Sequence, residues 1–168
     1  MKMKKITIAL FLALSFGLTT SVLAQGGRAP APALMDLITA KALVDAATAE
    51  ARSNNANVAI AVVDANGDLV NFNRMDGASA QAVTSSQGKA RAAILFGLPT
   101  KAAADAVAAG TPLSATLTPS GAGAFPVTVQ QGGLPIIKDG KVIGGIGVGG
   151  ASPASDEMFA QKGIDSIK

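Results

Sequence analysis

Two stretches of the chain each set a tight-turn dipeptide between apolar runs, and they limit the fold more than any other feature. In the first, residues 57–64 (NVAIAVVD) are apolar and β-branched, Ala65-Asn66-Gly67-Asp68 supplies Asn-Gly, and residues 68–75 (DLVNFNRM) alternate. Asn-Gly and Asp-Gly accept the positive φ that a hairpin turn needs, so the pattern predicts two antiparallel strands. In the second, residues 134–138 meet the glycine-rich run 142–148 (VIGGIGV) across Lys138-Asp139-Gly140-Lys141. Residues 125–131 read as a further strand, turned toward the second hairpin by Gly132-Gly133.

Helical periodicity surrounds these hairpins. Over residues 34–52, Leu37, Ala40, Val44, Ala47 and Ala51 recur at helical spacing, and Asn54-Asn55 stops the run. Residues 79–96 are Ala-rich and predict a second helix, which Gly88 weakens by roughly 1 kcal/mol relative to Ala. Pro99 breaks the chain, and residues 101–109 predict a third helix with Thr100 as its N-cap. A last helix is expected over 155–167, through Met158, Phe159 and Ile164. Between the third helix and the third strand, residues 110–124 carry Pro112, Pro119, Gly121 and Gly123. So long a loop in a compact domain is usually functional or mobile. The order α-ββ-αα-βββ-α predicts an α+β domain: a five-stranded antiparallel sheet with helices packed on it.

The amino-terminal segment has the three parts of a secretory signal. Lys2, Lys4 and Lys5 precede an apolar run over residues 6–18, and Val22-Leu23-Ala24 places small residues at a cleavage site. The apolar run is shorter than the roughly 20 residues of a spanning helix. The expected organisation is therefore a cleaved signal over 1–24, a Gly/Ala/Pro-rich leader over 25–33 and one domain over 34–168, located in the periplasm or outside the cell. Three of the 14 Lys+Arg lie in the signal, leaving 11 against 11 Asp+Glu in the mature chain. That neutral chain has no basic cluster for nucleic acid and no polybasic patch for a membrane. Its low net charge favours self-association. It also lacks His, Cys, Trp and Tyr. Ser-His-Asp and Cys-His catalysis are excluded, and the usual ligands of zinc, copper and iron–sulfur sites are missing, so no metal site is expected.

Several residues remain as candidates for chemistry. Gly145-Ile146-Gly147-Val148-Gly149-Gly150 resembles a dinucleotide fingerprint, but it lies inside the last strand with no βαβ unit around it. Glycines there permit close approach of backbone or ligand, which makes Gly147 and Gly149 candidate contacts. Asp64, Asp68 and Asp76 could hold a hard cation, although the first two flank the Asn-Gly hairpin and read better as turn residues. Arg74 shares its strand face with Val70 and Phe72, so it needs a carboxylate, with Asp76 nearest, or an anionic ligand. Lys89 and Arg91 either line a pocket or face solvent, the latter being the default. Thr111 offers a hydroxyl in the long loop.

The strings VAIAVVDANGDLVNFNRMDGA, QGKARAAILFGLPT, QGGLPIIKDGKVIGGIGVGGA and DEMFAQKGI, in this order and spacing, resemble the GlcG/HbpS-like family, a group of haem-binding or haem-degrading domains. The resemblance spans nearly the whole mature chain. It implies a profilin- or PAS-like sheet, assembly into dimers and up to octamers, and haem as the ligand of at least one extracellular, redox-sensing member. The chain departs from the pattern where Gly149 stands in place of a common serine, and at Asp68, where relatives often carry His or Asn. Thr111 falls in the region of a haem-contacting threonine, and Met75 and Met158 are the remaining soft ligands. Three functions are therefore expected. The first is an exported binder of haem or another planar anion, using Arg74, Lys89, Thr111, Gly147 and Gly149. The second is an enzyme on a small organic acid, with Arg74 as anchor and Asp76, Lys89 or Glu157 moving protons. The third is a structural or sensory oligomer subunit.

Overall fold

The computed structural model describes residues 35–114 and 126–168. The expected signal peptide, the leader, residues 115–124 of the long loop and Phe125 lie outside the described residues. Four helices and four strands run in the order α1 (Leu37–Ser53), β1 (Ala59–Asp64), β2 (Leu69–Arg74), α2 (Ala80–Phe96), α3 (Thr100–Ala108), β3 (Gly133–Lys138), β4 (Lys141–Gly149) and α4 (Pro153–Asp165). The strands form one antiparallel sheet, β2-β1-β4-β3.

The α+β class holds, and the antiparallel sheet has four strands among the described residues where five are expected. Of the expected strand at 125–131, the described residues 126–131 do not join it. Instead the Thr128 N–H donates to the Gly88 carbonyl of α2 at 3.0 Å. A Cβ on Gly88 would stand 3.0 Å from the Thr128 backbone nitrogen. The glycine that weakens α2 is thus what lets this segment cross the helix at backbone range.

Local side-chain chemistry sets the helix ends. Asp36 accepts from the Thr39 N–H at 2.7 Å and Ser152 accepts from the Ser155 N–H at 3.2 Å, so α1 starts later and α4 earlier than periodicity alone suggests. Pro153 sits in the first turn of α4, where its missing N–H costs nothing. Thr100 is not a cap. Pro99 occupies that position, and the buried Thr100 hydroxyl accepts from the Gly133 N–H at 2.8 Å, tying α3 to β3.

The two hairpins use different turns. Asp139 and Gly140 both have positive φ, 50° and 73°, the pattern of a two-residue type I′ turn. At the first hairpin only Gly67 is positive, at 88°. There the Asp64 carboxylate accepts from the amides of Asn66 (2.8 Å) and Asp68 (3.0 Å), which makes it a turn residue. Among the described residues no group of three or more His, Cys, Asp or Glu could hold a metal ion.

Helices cover both faces of the sheet. Ile60, Val62, Leu134, Ile136, Ile146 and Val148 pack with Leu43 and Val44 of α1 and Phe159 of α4. The opposite face consists of Ala59, Ala61 and Val63 of β1 beside Gly149, Gly147 and Gly145 of β4, and α2 lies on it. Burial on both sides explains why β1 is apolar at nearly every position.

Candidate functional site

Ala59, at the start of β1, pairs with Arg74 at the end of β2 and with Gly149 at the end of β4. Two clefts open at this end of the sheet. The first, of about 500 Å³, lies beside α1 and is lined by Thr48, Arg52, Asn55, Asn57, Asn73, Arg74, Met75 and Asp76. The second, of about 250 Å³, is lined by Ser79, Gln81 and Ser85 of α2 and its cap, by Gln130, and by Gly150, Ala151 and Pro153 at the approach to α4. Lys89 and Asp156 line it as well.

Arg74 does not point into the core with Val70 and Phe72. It is the last residue of an edge strand, and the turn after it brings the Ala78 carbonyl within reach of Nε (3.0 Å) and Nη2 (2.6 Å). Asp76 forms no ion pair with it. The guanidinium is thereby held at the cleft wall with its charge unneutralised. Arg52, exposed in the last turn of α1, lines the same wall, and among the described residues it too has no carboxylate partner. Two guanidinia against the single carboxylate of Asp76 leave this wall net positive.

Lys89 behaves in the opposite way. Its side chain is only 2% exposed, so the expectation of a solvated face fails. Lys89 Nζ donates to the Val148 carbonyl at 2.9 Å and to Asp156 Oδ2 at 2.8 Å. Gly132 leaves the gap for this pair, since a Cβ there would stand 2.8 Å from Asp156 Cβ and 2.9 Å from Lys89 Nζ. Asp156 Oδ1 accepts from the Ala151 N–H at 3.0 Å. Burial pushes the Asp156 carboxyl above the usual carboxylate range, against the pull of the bonds from Lys89 and Ala151. Asp156 is not among the candidates that the sequence singles out, Glu157 being the one acid of α4 that is. Its only signal is an acid in the first turn of a helix, and its partner is remote in the chain.

The other candidates disperse. Gly147 and Gly149 face α2 rather than a ligand: a Cβ on Gly147 would meet the Ala90 nitrogen at 2.5 Å and the Ser86 carbonyl, and one on Gly149 would meet the Ala82 carbonyl at 3.0 Å. Thr111 is exposed after α3, its N–H donating to the Ala106 carbonyl at 2.8 Å, and it lines neither cleft. Glu157 lines a separate hollow with Met158 and Lys162, and its Oε2 is buried without a hydrogen-bond partner. Arg91 Nε donates to the Gly67 carbonyl at 3.3 Å and braces the first hairpin. Asp76, Lys89 and Glu157 therefore sit at three different places, and only Asp76 shares a cleft with Arg74.

A family model described as haem degrading protein HbpS-like matches residues 35–165. Protein GlcG of Escherichia coli strain K12 is 38% identical over 109 residues, covering 65% of this chain and 76% of that protein. A double mutant of Streptomyces reticuli HbpS has the same fold, with a TM-score of 0.70 at 27% identity over 96% of this chain and 99% of that one. A PduOC–haem complex matches with a TM-score of 0.70 at 27% identity, over 80% of this chain and 95% of that one. The chain belongs to the HbpS-like family.

Proposed function

We propose that this protein binds a planar anionic ligand of the haem class in the cleft of Arg52 and Arg74, which hold the ligand's carboxylates. The observation that carries this reading is the pair of guanidinia, free of carboxylate partners, on one wall of a cleft of about 500 Å³. That volume lies within the roughly 300–1,000 Å³ of small-molecule pockets. The related PduOC–haem complex supports haem as the ligand to try first. The chain has no His, Cys or Tyr, and Met75 is the one soft donor lining the cleft. These residues fit the carboxylates of haem and leave its iron without a strong protein ligand.

Haem titration of Arg52→Ala, Arg74→Ala and the double variant tests the assignment. Each charge-assisted bond to a carboxylate contributes about 1.5–3 kcal/mol, so each single variant should bind at least about tenfold more weakly. A folded double variant that binds haem as tightly as the parent would sink the proposal.

Export and self-assembly belong to the same reading. The amino-terminal pattern supports cleavage after Ala24, checked by the intact mass of chain recovered from periplasm or medium. Leu37, Ile38 and Ile137 are 56%, 84% and 61% exposed, apolar surface that supports a homo-oligomer. Native mass spectrometry of the mature chain reads its stoichiometry.

A further inference from the structure

We propose that Asn73, held in place by Thr48, makes the Arg52–Arg74 cleft select carboxylates that carry a hydroxyl group. The inference rests on the reading that the two guanidinia hold carboxylates, and adds what the rest of the cleft recognises. Asn73 pairs with Ile60 of β1, so both side chains stand on the aliphatic face of the sheet, toward α1. Asn73 is half-buried there, and a polar group so placed costs free energy unless hydrogen bonds satisfy it. Thr48 of α1 satisfies part of it. The Thr48 hydroxyl gives its one proton to the Val44 carbonyl at 2.7 Å, so toward Asn73 it can only accept. Asn73 Nδ2 donates to it at 3.1 Å. The network thereby fixes which way the amide faces, with the nitrogen on Thr48 and Oδ1 without a donor among the described residues.

Thr48 and Asn73 both line the cleft. Ala56 and Met75 are the apolar members of that lining, and the others are polar or charged. A tetrapyrrole can offer such a lining only its carboxylate edge, whereas a short acid can enter whole. The chemistry of that acid follows from the wall. Asn73 Oδ1 is an acceptor, so it repels a second carboxylate and attracts an O–H or N–H donor. Arg52 and Arg74 against Asp76 leave the wall net positive, which disfavours an ammonium. A neutral hydroxyl close to the carboxylate meets both conditions. The ligand class is a short hydroxycarboxylate.

Propionate, lactate and alanine share one skeleton and carry hydrogen, hydroxyl and ammonium at the same carbon. Each is titrated into the protein, and binding is followed by the amide NMR signals of the cleft residues. Lactate should bind about three- to tenfold more tightly than propionate, the worth of one neutral hydrogen bond, and more tightly than alanine. Asn73→Leu should erase the lactate advantage and leave propionate unchanged. Thr48→Val, which keeps the side-chain shape but frees the amide to turn, should shrink that advantage without weakening propionate. Arg74→Ala should weaken lactate and propionate together. If it does so while lactate binds no better than propionate in the parent, this inference is overturned and the carboxylate anchor stands. If Arg74→Ala leaves both acids unchanged, the anchor fails and the inference fails with it. Alanine binding as tightly as lactate, or a lactate advantage that survives Asn73→Leu, overturns the inference as well.

Discussion

The two faces of the sheet solve the same packing problem by opposite means. Toward α1 and α4 the strands present large aliphatic side chains, and the layers are held apart by Ile60, Val62, Ile146 and Val148 interleaved with Leu43 and Phe159. Toward α2 they present alanine and glycine, so that the helix backbone rests almost on the strand backbone. The first arrangement gains from apolar area removed from water, about 25 cal/mol per Å². The second gains from contact density at close range and tolerates no added atom. The consequences reach the end of the sheet where the two clefts open. Beside α1 the cations are exposed and unpaired, free to meet a ligand. Beside α2 the one cation is buried and already committed. Adjacent residues of β4 belong to different faces, which makes the contrast easy to test.

The largest effect expected is at the charged end of the α2 face. Lys89→Met leaves Asp156 buried without its cation and should cost about 3–5 kcal/mol in urea unfolding. Adding Asp156→Leu should restore most of it, because an apolar pair of similar volume needs no mutual compensation. Next is Gly147→Ala, whose new methyl would meet the backbone of Ser86 and Ala90, and which should cost about 3 kcal/mol. Its neighbour Ile146→Val removes a methylene from the aliphatic face and should cost only about 1 kcal/mol. If adding one carbon at 147 proves milder than removing one at 146, the distinction between the faces is wrong.

Acid dependence should separate the two faces more gently. Asp156 has its carboxyl raised by burial, so its contribution is fully present below the ordinary value of 3.8 and is lost as pH rises through the folded value. Relative to the parent, Asp156→Asn should therefore gain stability as pH rises across that window. Asp36, lowered by its bonds to Thr39, works in the other direction. Its contribution is present above 3.8 and is lost as pH falls through the folded value, and Asp36→Asn should be insensitive there. Thermal melts over a pH series read both signs. The smallest effect is expected far from either face, at Gly140→Asn. Position 140 has a φ of 73° with open space around it, and Asn tolerates that conformation, so the loss should stay under about 1 kcal/mol.

Much of the fold is legible in the sequence because its signals are local. Asp-Gly at 139–140 and the apolar run of β1 identify their elements without reference to anything distant. What is not legible depends on contacts across the chain. Residues 125–131 read as a strand, but Thr128 bonds instead to α2 across the gap that Gly88 leaves. Lys89 sits beside that glycine and near Arg91, with nothing nearby to show that its partner is Asp156. The glycines of β4 suggest room for a ligand, and the helix that fills the room is visible only in three dimensions. For Arg74 the strand alternation suggests an inward face that the structure does not show. The structure places it at the rim of a cleft, with Arg52 beside it.

We propose that the Arg52–Arg74 cleft recognises carboxylates and not iron. It is tested most directly by titrating the mature protein with haem and with iron-free protoporphyrin in parallel. Affinities within a fewfold of each other are expected, both reduced at least about tenfold in Arg74→Ala. Tight haem binding with no measurable binding of the iron-free ring would contradict it, because the metal would then be what the protein holds.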